Sequence, residues 1–327
     1  NPGAPIPVAG TLKVATVAGV TRFTNLRIDA PGRCFIISLV PPPGSAIASV
    51  LSLPFNIEKG KKHEVVVTQE PAGVVPGVLF VVQPKIAMTD LGGNVIEEDS
   101  DTIVTAQIFQ QSSTALKGTG RSLSLINGKT SFSGLWVNLA ADCMQLEFRA
   151  VGRITGYSKP FNVLPLSPVK LGILTGALPG EATPGMPLGM QPRVVVLDTF
   201  ANKVFGGDIF VTATLLAGGV VVDCTFLPWL ASQCLQGTIT AKVEQVGEFR
   251  GVALFTDLQI NLQNNFYSIL FTAQSLAPVE SARTLTLVPG SIVAGLRVLL
   301  QPDGFAPGRV ILHQPQVGLV DPGGNVV

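Results

Sequence analysis

The chain has 327 residues with 22 Lys and Arg against 21 Asp and Glu, so 13% of it is charged where soluble domains average roughly 25%. Hydrophobic residues make up 46%, but their runs are short and broken by Pro, Gly or charge, which excludes a spanning helix; the aliphatic content excludes disorder. The net charge of +1 argues against a nucleic-acid groove or a polybasic membrane anchor.

In chain order, the first residues, Asn1-Pro2-Gly3, lack the basic start and apolar stretch of a signal peptide. Leu12, Val14 and Thr16 alternate with their neighbours, as do Phe35, Ile37 and Leu39. A period of two predicts half-buried strands. The same alternation returns at Leu123 and Leu125, at Met144, Leu146 and Phe148, along residues 210–215, and at Tyr267, Ile269 and Phe271. No segment keeps helical spacing over three turns.

Three blocks recur in fixed order. Gln-Pro opens at Gln83, Gln191 and Gln314, each followed by an Asp seven residues on (Asp90, Asp198, Asp321) and an Asn eleven on (Asn94, Asn202, Asn325). A Pro-Gly pair starts seven residues before each Gln, at Pro76, Pro184 and Pro307. Phe23-Thr-Asn-Leu26 matches Phe132-Ser-Gly-Leu135 and Phe255-Thr-Asp-Leu258, each with a Gly four residues upstream. Pro54-Phe-Asn-Ile57 returns as Pro160-Phe-Asn-Val163, and more loosely as Thr284-Leu-Thr-Leu287. Short strands separated by Gly, Pro and Asn turns over such a period predict an all-β chain of tandem immunoglobulin-like β-sandwich domains.

The repeat phase sets the expected domains. Residues 61–165 and 166–289 each hold a full set of blocks, the second with an insertion near 220–236. Residues 1–60 hold only the later blocks and read as an incomplete domain; residues 290–327 hold only the earlier ones. An incomplete sandwich exposes an apolar face and strand edges that invite pairing. Two readings follow. In one, residues 290–327 of one copy donate strands to residues 1–60 of the next, through Val310, Leu312, Val317, Leu319 and Val326 against Leu12, Val14, Phe23, Leu26, Phe35, Ile37 and Phe55. In the other, the sequence is a window on a longer tandem array. The joined halves run 36 residues from Gln to Phe, against 49 and 64 in the complete repeats, so they fall about one strand and loop short.

On these blocks the sequence resembles the tandem bacterial-type immunoglobulin-like repeats of cell-surface adhesins and appendage proteins. The resemblance covers nearly the whole chain and implies a fold and an extracellular fibre or surface role, with no ligand.

Cys224 and Cys234 bracket nine residues of the insertion, including Trp229, and are candidates for a local disulfide. Trp229 reads either as a contact residue or as packing on its own domain. Cys34 and Cys143 sit at equivalent positions one step out of phase with the inward set, so they should face outward. Either they form inter-domain or inter-subunit bonds, or they are free thiols in a local bulge. No Cys or His spacing suits a metal, and neither His63 nor His313 lies in an acid/base constellation, so no enzyme activity and no cofactor are expected. The acidic run at 97–101 reads as a Ca²⁺ loop with Asp90 and Asn94 or as a solvated loop. No Asn meets the N-glycosylation pattern, leaving Pro41, Pro42, Pro43 and Ser45, and Ser112, Ser113 and Thr114, as candidate O-glycan loops. The expected partner is the chain itself, head to tail, with a possible glycan coat. The competing function is a segment of an adhesin stalk.

Overall fold

The computed structural model describes residues 6–110, 115–174, 181–223, 234–282, 285–287, 292–304 and 306–327. It is all-β, without a helix among the described residues, and falls into two compact units, 1–164 and 165–327.

The first unit holds one closed core. A three-stranded antiparallel sheet runs Lys129–Ser131, Lys85–Thr89, Glu64–Gln69. A four-stranded antiparallel sheet runs Thr155–Tyr157, Leu146–Ala150, Ile103–Ile108, Ser122–Ser124. Ile103–Ile108 shows why this sequence makes strands: its β-branched residues stiffen the backbone and its period of two buries Val104, Ala106 and Ile108 on one face. Those residues meet Val65, Ile86 and Met88 of the other sheet in one buried cluster. Phe132 and Phe148 touch there with ring centroids 5.3 Å apart. Each such fully buried side chain contributes about 1.5–3 kcal/mol.

The second unit repeats the plan. Lys170–Ile173, Arg193–Leu197 and Val252–Leu254 form one sheet. A larger sheet centres on Phe210–Ala217 against Asn264–Thr272, with Thr240–Lys242 beside the former and Leu285–Leu287 beside the latter. Their inner faces share a cluster from Leu171 to Leu287, in which Phe255 and Phe271 again pair, at 5.4 Å.

Among the described residues, 6–60 and 292–327 form no comparable core. The first contain short pairings, Gly32–Phe35 with Phe55–Ile57 and Ser38–Leu39 with Val50–Leu51. The second contain one hairpin, Gly295–Leu300 with Gln316–Val320. Among the buried apolar side chains of the described residues, only Val320 comes from either segment.

One repeated device escaped the sequence reading. Gly10, Gly118 and Gly237 all have φ near +100° (109°, 116° and 92°), and a Cβ on any of them would lie 2.2 Å from a backbone oxygen, of Asn25, Gly134 and Asp257 respectively. Glycine is needed there for both conformation and space. These residues stand beside the pairings Ala9 with Arg27, Lys117 with Trp136, and Gln236 with Gln259. The signal was hidden because insertions between Gly and Leu vary its distance from the Phe-x-x-Leu block.

Candidate assembly surfaces

In residues 6–60 the alternating apolar side chains line an open trough of about 960 Å³, with Leu12, Val14, Phe23, Leu26, Ile37 and Leu39 on its walls. These walls carry the Phe-x-x-Leu block without a Gln-Pro block ahead of it in residues 6–60. Phe23 and Leu26 occupy the places of Phe132 and Leu135, which are buried in the complete domain, yet here both remain half-exposed. Phe35 and Phe55 cover each other instead, with ring centroids 6.1 Å apart. Pro41, Pro42 and Pro43 lie on the trough wall and Ser45 follows them, so a sugar on this loop would sit beside the opening.

The hairpin near the other end is the converse. Val317 and Leu319 stand where Ile86 and Met88, or Val194 and Val196, stand in the complete domains. Those four are at most 1% exposed; Val317 and Leu319 are 56% and 50% exposed. The repeat frame also gives the counterparts of the other donor candidates. Val310 and Leu312 match Leu79 and Val81 of the first complete domain, which are themselves exposed, while Ile311, absent from the sequence reading, matches the buried Phe80 and Leu188. In the same way Val327, next to Val326, takes the place of the buried Ile96 and Val204.

The Asp and Asn of the opening block form a clasp at each domain start. Asp90 accepts from the backbone N–H groups of Gly92 and Asn94, and from Gly60 in the linker at 2.8 Å. Asp198 repeats this with Phe200, Asn202 and the linker residue Leu166, the last at 3.0 Å. Burial pushes both carboxyls up, but the N–H donors outweigh it and hold each below the usual aspartate value. The Asn side chains reach further. Asn94 donates to the carbonyl of Asp29, and Asn325 donates to that of Asn261, both acceptors lying three residues beyond the Leu of a Phe-x-x-Leu block.

The acidic run is met by two lysines. Lys59 pairs with Glu97 and Glu98 at 3.1 and 3.5 Å, and Lys62 pairs with Asp99 at 2.9 Å. Both oxygens of Asp90 are taken by N–H donors, and no cluster of His, Cys, Asp or Glu suited to a metal occurs among the described residues. The buried Glu147 is likewise engaged: burial raises its pKa, while Arg149 at 2.9 Å and Gln107 at 2.6 Å bring it below the ordinary glutamate value.

Cys34 and Cys143 are exposed free thiols. Each has a left-handed backbone (φ 58° and 54°) inside a register shift of its strand pair. The backbone N–H of each donates to an Asn side chain, of Asn56 and Asn162 respectively. Cys234 is disulfide-bonded and buried. Cys224, Trp229, Ser112, Ser113 and Thr114 lie outside the described residues.

No family model and no curated protein matches the chain. Among solved structures it is similar to dimeric latent PorU from Porphyromonas gingivalis, at 13% identity and a TM-score of 0.22, covering 74% of this chain and 25% of that one. It is also similar to the E. coli alpha-2-macroglobulin in its native conformation, at 13% identity and a TM-score of 0.23, covering 86% and 19%. The chain thus spans a quarter or less of either protein.

Proposed function

We propose that this chain is a non-enzymatic structural subunit of an extracellular fibre, built of immunoglobulin-like sandwiches and joined head to tail by β-strand complementation. The observation that carries this reading is the match between two open surfaces. Residues 6–60 present an apolar trough where a complete repeat has core, and the hairpin of residues 295–320 presents Val317 and Leu319, whose counterparts are core. Covering these faces removes apolar area from water, and the sparse charge of the chain suits a surface that is partly covered. A contact of this kind is heterologous and generates a filament unless its rotation closes a ring.

A second reading, a stretch of a tandem adhesin stalk, is favoured by one specific shortfall. Among the described residues the two segments hold no counterpart of strand Ile103–Ile108, which in the complete domain pairs with Leu146–Ala150. In a tandem array a neighbouring repeat supplies that strand.

Purified chain observed by electron microscopy and sedimentation separates the two readings. Concentration-dependent fibres, abolished by deleting residues 305–327, support the subunit. A parent chain that stays monomeric at all concentrations rejects it in favour of the stalk.

A further inference from the structure

In both complete domains the Gln of the opening block uses one side-chain amide to join two strands. Gln83 donates to the carbonyls of Phe80 and Leu135, at 3.1 and 3.0 Å, and its oxygen accepts the N–H of Leu135 at 3.1 Å. Gln191 does the same with Leu188 and Leu258, all three bonds being 3.0 Å. A two-way amide contact of this kind reads one residue of backbone and so fixes register.

Gln314 carries half of this pattern. Its amide donates to the Ile311 carbonyl at 2.9 Å, the counterpart of the Phe80 and Leu188 bonds. Nothing among the described residues fills the other half. Leu26, which stands where Leu135 and Leu258 stand, has neither its backbone N–H nor its carbonyl in a hydrogen bond among the described residues. Each residue lacks the bonds that the other offers.

Resting on the subunit reading above, we infer that Gln314 is the latch of the joint and takes the backbone of Leu26 in a second copy of this chain. The repeats then give the whole register. Gly77 and Phe80 donate to Val137 and Leu135, and Gly185 and Leu188 donate to Ile260 and Leu258. By the same spacing Gly308 and Ile311 donate to the partner's Ile28 and Leu26. Phe132 donates to Pro84 and Phe255 to Pro192, so the partner's Phe23 donates to Pro315. Lys85 faces Ser131 and Arg193 faces Leu254, so Gln316 faces the partner's Arg22. That pair falls between the hydrogen-bonded ones, where Cα atoms approach to about 4.5 Å and a disulfide fits.

The test uses the full chain with Cys34→Ser and Cys143→Ser. Adding Arg22→Cys and Gln316→Cys should give disulfide-linked ladders on mild oxidation. Val20→Cys with Gln316→Cys, two residues out of register, should not. Gln314→Ala should weaken self-association about 30-fold, the worth of two ordinary hydrogen bonds, while Glu248→Ala, on an exposed turn outside the joint, leaves it unchanged. Fibres that form normally with Gln314→Ala, or that cross-link through Val20→Cys, overturn the latch and leave the subunit reading standing. Failure of the parent chain to associate overturns both.

Discussion

The side-chain amide of Asn94 donates to the backbone carbonyl of Asp29 at 2.5 Å, bridging the incomplete segment and the first complete domain. Asn325 makes the corresponding bond to Asn261 at 2.7 Å, and Asn325 also accepts the N–H of Gln263. The Asp-x-x-x-Asn turn therefore closes its own hairpin and holds the preceding repeat.

Asn94→Ala removes the bond to Asp29 and leaves that carbonyl without its partner. Hydrogen exchange in the Asp29 region should rise about tenfold, corresponding to about 1–1.5 kcal/mol. Exchange along Ile103–Ile108 should stay as it is. Equal loosening of both would show that Asn94 acts on the fold at large and not on the junction.

Removing the carboxylate costs more than removing the amide. Asp198→Ala deprives the Leu166, Phe200 and Asn202 N–H groups of their acceptor, and urea unfolding of the second unit should show a loss of about 3 kcal/mol. Asp198→Asn, which keeps one acceptor oxygen, should recover part of that.

The same carboxylates set the acid limit. Asp90 and Asp198 have folded pKa values held below their unfolded ones, so each contributes stability that is complete above the unfolded value of about 3.9. It is lost as pH falls through the folded value. Denaturation midpoints should be flat with respect to these groups from pH 7 to about 5 and drop below about 4. A steep loss between pH 7 and 5 would contradict the clasp.

Gly118→Ala places a Cβ 2.2 Å from the Gly134 oxygen at φ 116°, whereas Gly134→Ala at φ 81° meets open space. The second substitution should cost about 1–2 kcal/mol from backbone strain alone, and the first distinctly more. The comparison is read from paired thermal or urea unfolding.

Thiol titration of the native chain should find Cys34 and Cys143 reactive. Cys143→Gly should match or exceed parent stability because glycine accepts φ 54° without strain, while Cys143→Val should cost about 1–2 kcal/mol. A destabilising Gly variant would show that the thiol packs or bonds in the folded state.

Much of the strand content was legible in sequence because alternation is a local property. Val104, Ala106 and Ile108 announce their buried face without reference to the rest of the chain. The Gln-Pro, Phe-x-x-Leu and Asp-x-x-x-Asn blocks also read directly, since each keeps a constant internal spacing. That Gln83 grips Leu135 across 52 residues was not legible, nor was the shared role of Gly10, Gly118 and Gly237, because the residues between them vary in number.

The low charge and the repeat phase, visible in the first count of residues, by themselves determined an all-β chain with two full sets of blocks and two partial ones. Only the tertiary structure decided which apolar residues belong to a core. Val317 and Ile86 are alike in sequence context, yet one is half-exposed and the other buried. The difference is physical: burial depends on whether the strand opposite is there to close over the side chain, and strand partners come from distant positions that periodicity does not record.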